Sequence, residues 1–189
     1  RFNVQIGGDL ASLLPPDNRA FFGNDTQLAA QGWRAESGRL ELESLNLDTD
    51  ALKINGKLAT NDQNAPQMLD LVVDFGQQAG ATTLPVTIPF VSPPVTVQSG
   101  NLAIGFDASQ GSDWSLKGWL TQIDRQAVKL QRLDLDGQGQ VVLADGESLR
   151  QITGTLGFNA SGLQLADEKI QRVVGDTIGG QTGFDFTPG

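Results

Sequence analysis

The alternation of apolar and polar residues is clearest over positions 37–58, SGRLELESLNLDTDALKINGKL. The leucines of 40–42 alternate with charged residues, and those of 45–47 continue the alternation after a one-residue slip at Ser44. Period-two alternation is typical of a half-buried β-strand, because successive side chains of a strand point to opposite faces. A slip of one residue is typical of a β-bulge or a corner. The stretch therefore predicts two or three amphipathic strands, whose function depends on what covers their apolar face.

The same alternation recurs along most of the chain, at 68–75, 102–106, 114–120, 127–136 and 152–160. A second slip separates Leu130 from Leu133. Aspartate followed by glycine at 145–146 is a strong hairpin signal between two such segments. The pattern predicts a mostly β protein, an elongated, curled amphipathic sheet that forms a repeating β-groove, or β-taco.

Two short helices are expected near the ends of the sheet. Aspartates that can cap a helix precede apolar residues and a closing glycine at 17–23 and again at 167–175. The closing glycines, Gly23 and Gly175, are 152 residues apart. We therefore expect 1–189 to be a single fragment of a long repetitive protein, with about one repeat at 9–166 and the start of the next at 167–189.

The segment between Phe75 and Phe106 contains no charged residue and four prolines, among them Pro85 and Pro89. Proline cannot donate a hydrogen bond to a neighbouring strand, so the segment is typical of an edge or rim that resists edge pairing. Two interpretations stay open. One is an ordinary hairpin insert, and the other is a lip that contacts lipid or a partner.

Composition narrows the classes of function. The net charge of −9 argues against nucleic acid and against anionic headgroups as electrostatic partners. The 189 residues include no cysteine and no histidine, so neither a thiolate nor an imidazole can serve within this chain as a nucleophile, base or metal ligand. We predict a protein that is not an enzyme and that uses no cofactor.

Three weaker sequence signals would suggest a calcium site, a dinucleotide site or a carbohydrate-active enzyme, but the surrounding residues do not support them. The aspartates of 48–50 and 134–136 resemble calcium loops but lack the further oxygen ligands, so we predict no metal site. The glycines of 137–139 lack the third glycine of a dinucleotide-binding turn. A carbohydrate-active enzyme could work with paired carboxylates alone, yet the acidic residues here are scattered along polar faces, where solvation explains them.

Several segments carry a resemblance that covers nearly the whole chain. They are LLPPDNRAFFG, SGRLELESLNLDTDALKINGKL, SGNLAIGFDAS, DWSLKGWLTQIDRQAVKLQRLDLDGQGQV and GTLGFNASGLQLADEKIQRVVGD. In their order and pattern they resemble the middle of proteins of the translocation and assembly module family, TamB, and among these the alphaproteobacterial ones. The family belongs to the AsmA-like, bridge-like lipid transfer superfamily.

The resemblance implies a long periplasmic protein that is anchored in the inner membrane and reaches an Omp85-class outer-membrane partner, TamA. It implies a taco-shaped groove with an apolar interior that carries phospholipid between the two membranes and supports outer-membrane assembly. The C-terminal domain that marks the family is not evident in this chain.

The residues proposed to line the lipid groove share apolar character and alternation with polar neighbours. They are Leu40, Leu42, Leu52, Ile54, Leu71, Val73, Phe75, Ile104, Phe106, Leu116, Leu120, Leu156 and Phe158. Each of them, taken alone, would also suit the core of a closed β-sandwich. The leading alternative function is a rigid β scaffold that binds outer-membrane protein precursors by strand addition.

Overall fold

The computed structural model of this protein describes residues 1–9, 19, 22–76, 80, 85–88, 91–145 and 147–188. As the alternation predicts, this part is mostly β, with 68% of its residues in strands and 5% helical, and forms one long, curled antiparallel sheet. Its strands are β1 (Phe2–Gly8), β2 (Thr26–Arg34), β3 (Leu40–Asp48), β4 (Leu52–Thr60), β5 (Pro66–Gly76), β6 (Val86–Thr87), β7 (Thr96–Val97), β8 (Ser99–Asp107), β9 (Asp113–Arg125), β10 (Val128–Ala144), β11 (Ser148–Ser161), β12 (Gln164–Leu165) and β13 (Thr177–Phe186).

The helix expected near the C-terminal end is α1, Glu168–Val174. The carboxylate of Asp167 accepts hydrogen bonds from the backbone N–H groups of Lys169 (2.8 Å) and Ile170 (3.3 Å), which fixes the first turn. Gly175 ends the helix with a φ of 80°. The helix expected near the N-terminal end falls mostly outside the described residues.

Ten strands form the main path of the sheet in the order β1-β2-β3-β4-β5-β8-β9-β10-β11-β13. Consecutive strands of this path pair antiparallel, as short connections favour. Strands β6 and β7 form a short hairpin in the proline-rich segment, and β7 also pairs with β9. Pro89 lies outside the described residues. Of the segment that the sequence predicts to form a rim, the structure therefore describes this hairpin.

The two slips in the alternation are irregularities inside continuous strands. In β3, Leu42 pairs with Leu58 and Leu45 with Gly56, so two residues of β3 face one residue of β4. In β10 the pairing with β9 is interrupted at Gln131, and the facing residue on β9, Gln122, has a φ of 48°. The β3 bulge keeps the leucines on both of its sides on one face, as the sequence predicts.

The sheet is a single layer. Among the described elements, every extensive contact joins strands that are neighbours in the sheet, apart from α1, which packs on β12. All of the described strands belong to this one sheet, so no separate second sheet lies on either of its sides within the described part. A small buried cluster, Ala51 and Leu52, lies at the β3–β4 turn against Phe22, Leu47 and further half-buried residues.

The sheet curls at the end that carries the β4–β5 and β10–β11 turns. These turns are four strand spacings apart along the path, which would separate them by about 19 Å in a flat sheet. In the structure the side chain of Asn61 donates to the backbone oxygen of Glu147, and Nε2 of Gln63 lies 2.9 Å from Oε2 of Glu147. The curl thus brings together two turns that are 84 to 86 residues apart in sequence.

Candidate functional site

The register of the strands places apolar residues in rows that cross the whole sheet. Because directly opposed residues of paired strands share a face, the partners can be followed from strand to strand. One row is Ile6, Leu28, Leu47, Ile54, Val73, Leu102, Gly118, Leu135, Phe158 and Gly180, one residue from each strand of the path. At about 4.8 Å per strand, this row is about 43 Å long.

Two further rows follow the first one in succession on the same side of the sheet. They are Val4, Ala30, Leu45, Gly56, Leu71, Ile104, Leu116, Gly137, Leu156 and Thr182, and then Phe2, Gly32, Leu42, Leu58, Leu69, Phe106, Trp114, Gly139, Gly154 and Phe184. No residue of the three rows is charged. We call the side of the sheet that carries them the apolar face.

The other side, the polar face, carries charged and amide side chains in register with one another. One of its rows is Lys53, Asp74, Asn101, Trp119, Asp134 and Asn159. The amide of Asn101 donates to Asp74 at 2.7 Å, and Arg132 stacks over the ring of Trp119 at 5.2 Å. The sheet is therefore amphipathic across its width and not only along single strands.

All thirteen residues proposed for the groove lie on the apolar side of the sheet by register. Eleven of them are half-buried, while Phe106 (7% exposed) and Leu52 (8% exposed) are buried. Leu40 lies at the margin, where its partners are Arg34 and Thr60. Whether these side chains hold lipid stays a prediction, since no ligand is present.

An apolar concavity lies where β10, β11, β12, α1 and β13 meet. It has a volume of about 480 Å³, and all of its lining residues are apolar. Its lining is Val128, Leu130, Leu133, Leu135, Leu156, Phe158, Ala160, Leu163, Leu165, Val174 and Ile178. Only Leu156 and Phe158 of this set are among the residues proposed from sequence.

Most of the other residues of this pocket lie where the alternation of the sequence is interrupted or too short to recognise. Val128 and Leu130 lie beyond the irregularity at Gln131, and they line the pocket together with residues on its other side. Leu163 and Leu165 surround a two-residue strand, which is too short to show a period. The apolar spacing of α1 was visible, but only the fold places Val174 against the sheet.

A larger concavity is lined by residues of both faces, among them Leu69, Phe106, Trp114, Gly139 and Gly154 of the third apolar row. Its volume is about 950 Å³, and the polar side chains in its lining include Asp70, Asp107, Asp113, Ser115 and Gln138. The hydroxyl and backbone N–H of Ser109 donate to Asp107 at 2.7 and 2.9 Å and hold the pKa of Asp107 below its ordinary value.

Three of the four aspartates that resemble calcium loops are paired with cations in the structure. Asp134 accepts three hydrogen bonds from Arg132, which lower the pKa of Asp134. Asp48 lies 3.4 Å from Nζ of Lys53, and Asp136 lies 4.0 Å from Nζ of Lys117. Within the described residues no group of three or more acidic side chains is placed to hold a metal ion. None of the helical residues described belongs to a segment long and apolar enough to cross a membrane.

Comparison of the chain with protein-family models, with curated proteins and with solved structures finds no match.

Proposed function

We propose that this chain is a segment of a lipid-transfer bridge in the bacterial periplasm, in which the apolar face carries the acyl chains of phospholipids. The observation that carries the proposal is the set of three uncharged rows that cross all ten strands of the path and whose apolar side chains, apart from that of Phe106, stay at least partly exposed. A partly exposed apolar face of this extent is typical of a binding surface. The polar headgroup would stay at the solvent margin of the curled sheet.

The apolar face can bind an acyl chain without any specific residue. Burying a methylene group gains about 0.8 kcal/mol, so a chain of about sixteen carbons gains at most about 12 kcal/mol when it leaves water. Ordering the lipid costs part of that gain, which leaves reversible binding. Because hydrophobic attraction has no preferred direction, a bound chain can move along the rows, as transport between membranes requires.

The apolar pocket between β10 and α1 is an open concavity on this path, and all of its lining residues are apolar. Its rows continue into those of the apolar face through Leu135, Leu156 and Phe158. An acyl chain that lies along the sheet would there contact apolar side chains of α1 as well as those of the strands. The pocket supports a path with at least one resting position for lipid.

The resemblance to the translocation and assembly module family supplies a cellular setting for the proposed lipid transfer. In that setting the parent protein is anchored in the inner membrane and meets an Omp85-class partner, TamA, at the outer membrane, and it supports outer-membrane biogenesis. The curled sheet with an apolar and a polar face agrees with the β-taco of that family.

The proposal is tested by native mass spectrometry of the chain purified gently from bacteria, with Leu116→Asp as the variant. Leu116 is half-buried in the middle row, opposite Ile104 and Gly137. We expect phospholipid to copurify with the wild type and to be lost, by at least about tenfold, in Leu116→Asp, because a carboxylate raises the cost of apolar contact by several kcal/mol. Phe106→Asp serves less well, since Phe106 is buried and its replacement is expected to destabilise the sheet.

The matched control is Ser115→Asp, which adds the same charge to the next position of β9 on the polar face, where Ser115 is exposed. Urea denaturation of all three proteins shows whether the sheet stays folded. Equal lipid in both variants, or a compact wild type without lipid, would contradict the proposal.

The second candidate function, a scaffold for outer-membrane protein precursors, depends on the edges of the sheet. All ten residues of β13 are exposed, and along the path β13 pairs only with β11. An edge of this kind can accept an added strand. Strands of barrel precursors are therefore the competitors in the experiment that follows.

A further inference from the structure

The β11–β13 pairing repeats the β1–β2 pairing at a constant distance in sequence. Gly8 lies opposite Thr26, and Ala160 lies opposite Ile178, with both residues of the second pair 152 positions beyond those of the first. The remaining pairs of β1 and β2 follow the same rule, because neither ladder contains a register shift. Two regular antiparallel ladders often share some constant offset, so the informative point is its value, which equals the 152 residues between Gly23 and Gly175.

The connections between these strand pairs share two more features at the same offset. The backbone N–H of Gly23 donates to the oxygen of Arg19 at 2.9 Å, and that of Gly175 donates to the oxygen of Gln171 at 2.8 Å. Both glycines have a positive φ, 67° and 80°. A helical turn that is closed by a left-handed glycine therefore precedes β2 and β13 alike.

Seven strands of the path lie between β2 and β13, so the path takes eight steps from one to the other. After an even number of antiparallel steps the chain runs in its original direction again. This repeat would advance the sheet by about 38 Å, at about 4.8 Å per strand. In this arrangement β13 occupies the position of β2 in a second copy of the repeat.

The two strands differ at their second edge. The far edge of β2 pairs with β3, whereas no described strand pairs with the far edge of β13. Natural edge strands are commonly protected against pairing by lysine, proline or a bulge. The strand β13, TIGGQTGFDF, contains neither lysine nor proline, and its ladder with β11 has no bulge.

We propose that the far edge of β13 binds an antiparallel strand with the residue pattern of β3, supplied by a further copy of the 152-residue repeat. The register follows from the β2–β3 ladder, in which Leu45 lies opposite Ala30 and Leu42 opposite Gly32. When the positions on β2 are advanced by 152 residues, the leucines equivalent to Leu45 and Leu42 lie opposite Thr182 and Phe184. The added strand places its leucines beside Thr182 and Phe184 on the apolar face and extends the rows by one strand.

The inference is independent of what the apolar face carries, since it concerns only the edge of the sheet. A strand at this edge gains main-chain hydrogen bonds from its ladder and specificity from alternate side chains. The leucines of β3 are three positions apart and share one face only because of the bulge between them. If the same sequence paired without a bulge, one of these leucines would lie on the polar face, so the bulge makes the register specific.

Disulfide trapping tests the proposal, because the chain contains no cysteine that could give a background reaction. The chain carries Thr182→Cys, and a synthetic peptide with the sequence of residues 39–48 carries Leu45→Cys. In the proposed register these two cysteines face each other, within the Cα separation that a disulfide requires. We expect a mixed disulfide with this peptide and loss of the product when the peptide carries Leu40→Cys instead, about 13 Å away along the strand.

Three controls keep the outcome decisive. Val4→Cys places the thiol on β1, at the other edge of the sheet, and is expected to give no product. A peptide from an outer-membrane barrel strand, with one cysteine at its centre, is expected to react less than the matched peptide. Hydrogen exchange on the unmodified chain is expected to show protection of β13 amides, and not of β1 amides, when the cysteine-free peptide is added.

Equal trapping of the matched and displaced peptides would overturn the inference, as would a preference for β1 or equal reaction of the barrel peptide. A dimer of the chain joined through β13 would overturn it as well, because a second copy would then occupy the edge.

Discussion

At the scale of the residue, Trp114 shows how one side chain shapes the apolar face. Its indole Nε1 donates to the backbone oxygen of Thr153 on β11 at 2.9 Å, and its ring centre lies 5.7 Å from that of Phe184 on β13. Trp114 itself belongs to β9, so its ring lies across β10 and reaches the strands beyond it. The residues beneath the ring are Gly139 and Gly154, which have no side chain to occupy that space.

Replacing Gly154 by alanine is expected to destabilise the protein. A Cβ at this position would lie 2.3 Å from Cζ2 of Trp114 and 2.7 Å from the backbone oxygen of Gln138. Relief of that overlap requires the indole and the neighbouring strand to move, at a cost of about 1–3 kcal/mol in the free energy of unfolding. Urea denaturation followed by tryptophan fluorescence measures the loss.

The matched control for this substitution is Gly157→Ala on the same strand. Its Cβ would meet only the backbone oxygen of Asp136, at 3.4 Å, which is ordinary contact. We expect this variant to be as stable as the wild type or slightly more stable, since alanine loses less backbone entropy on folding than glycine. Equal losses in both variants would mean that the indole does not determine the effect at Gly154.

At the scale of the element, the β3 bulge keeps two leucine pairs on the apolar face. Glu43 has no partner in either neighbouring strand, while Leu42 and Ser44 pair with successive residues of β2. Glu43 is exposed. Its removal would leave Leu42, Ser44 and Leu45 in a regular ladder with both neighbours, with the leucines still on the apolar face.

We therefore expect deletion of Glu43 to be tolerated, with a loss of less than about 1 kcal/mol in the free energy of unfolding. Deletion of Asn46, three residues further along the same strand, is expected to cost about 2–5 kcal/mol, because it turns Leu47 away from its packing with Ala51 and Leu52. Urea midpoints of the two deletion variants provide the comparison. If the Glu43 deletion were the more harmful one, the bulge itself would be required for folding.

The strand pattern shows how far the sequence predicts individual elements. Alternation was sufficient for β3, β4, β5, β8, β9 and β11, because each is long and has one apolar face. It also placed both slips, at Ser44 and between Leu130 and Leu133. It did not locate β12, since two residues do not define a period, and it did not show that β10 continues to Ala144 past its glycines.

At the scale of the whole molecule, the curl decides how enclosed the apolar face is. The side chains of Asn61 and Gln63 contact Glu147 across four strand spacings. These contacts are between exposed polar groups and contribute at most about 1 kcal/mol each. They report the curvature of the sheet, whose origin lies in strand twist and in the bulges.

Chemical crosslinking checks the curl in solution. In a chain with Asp62→Cys and Asp145→Cys, both at exposed turn positions, we expect efficient closure by a bis-maleimide whose reach is well below the flat-sheet distance of about 19 Å. The single-cysteine variants and the same chain in urea serve as controls. Failure of the folded chain to crosslink would mean that the sheet is flatter than the structure indicates.

The sequence by itself determined the class of the fold and the side of each long strand that is apolar, because both follow from the period of side chains along a strand. It also excluded chemistry that needs imidazole or thiolate groups. Residues distant in sequence meet only through strand pairing, and local patterns do not encode that pairing. The tertiary structure therefore decided that all the described strands join one sheet, that Trp114 lies over two glycines and that an apolar pocket forms beside α1. It also decided that β13 repeats the register of β2 with a far edge that no described strand occupies.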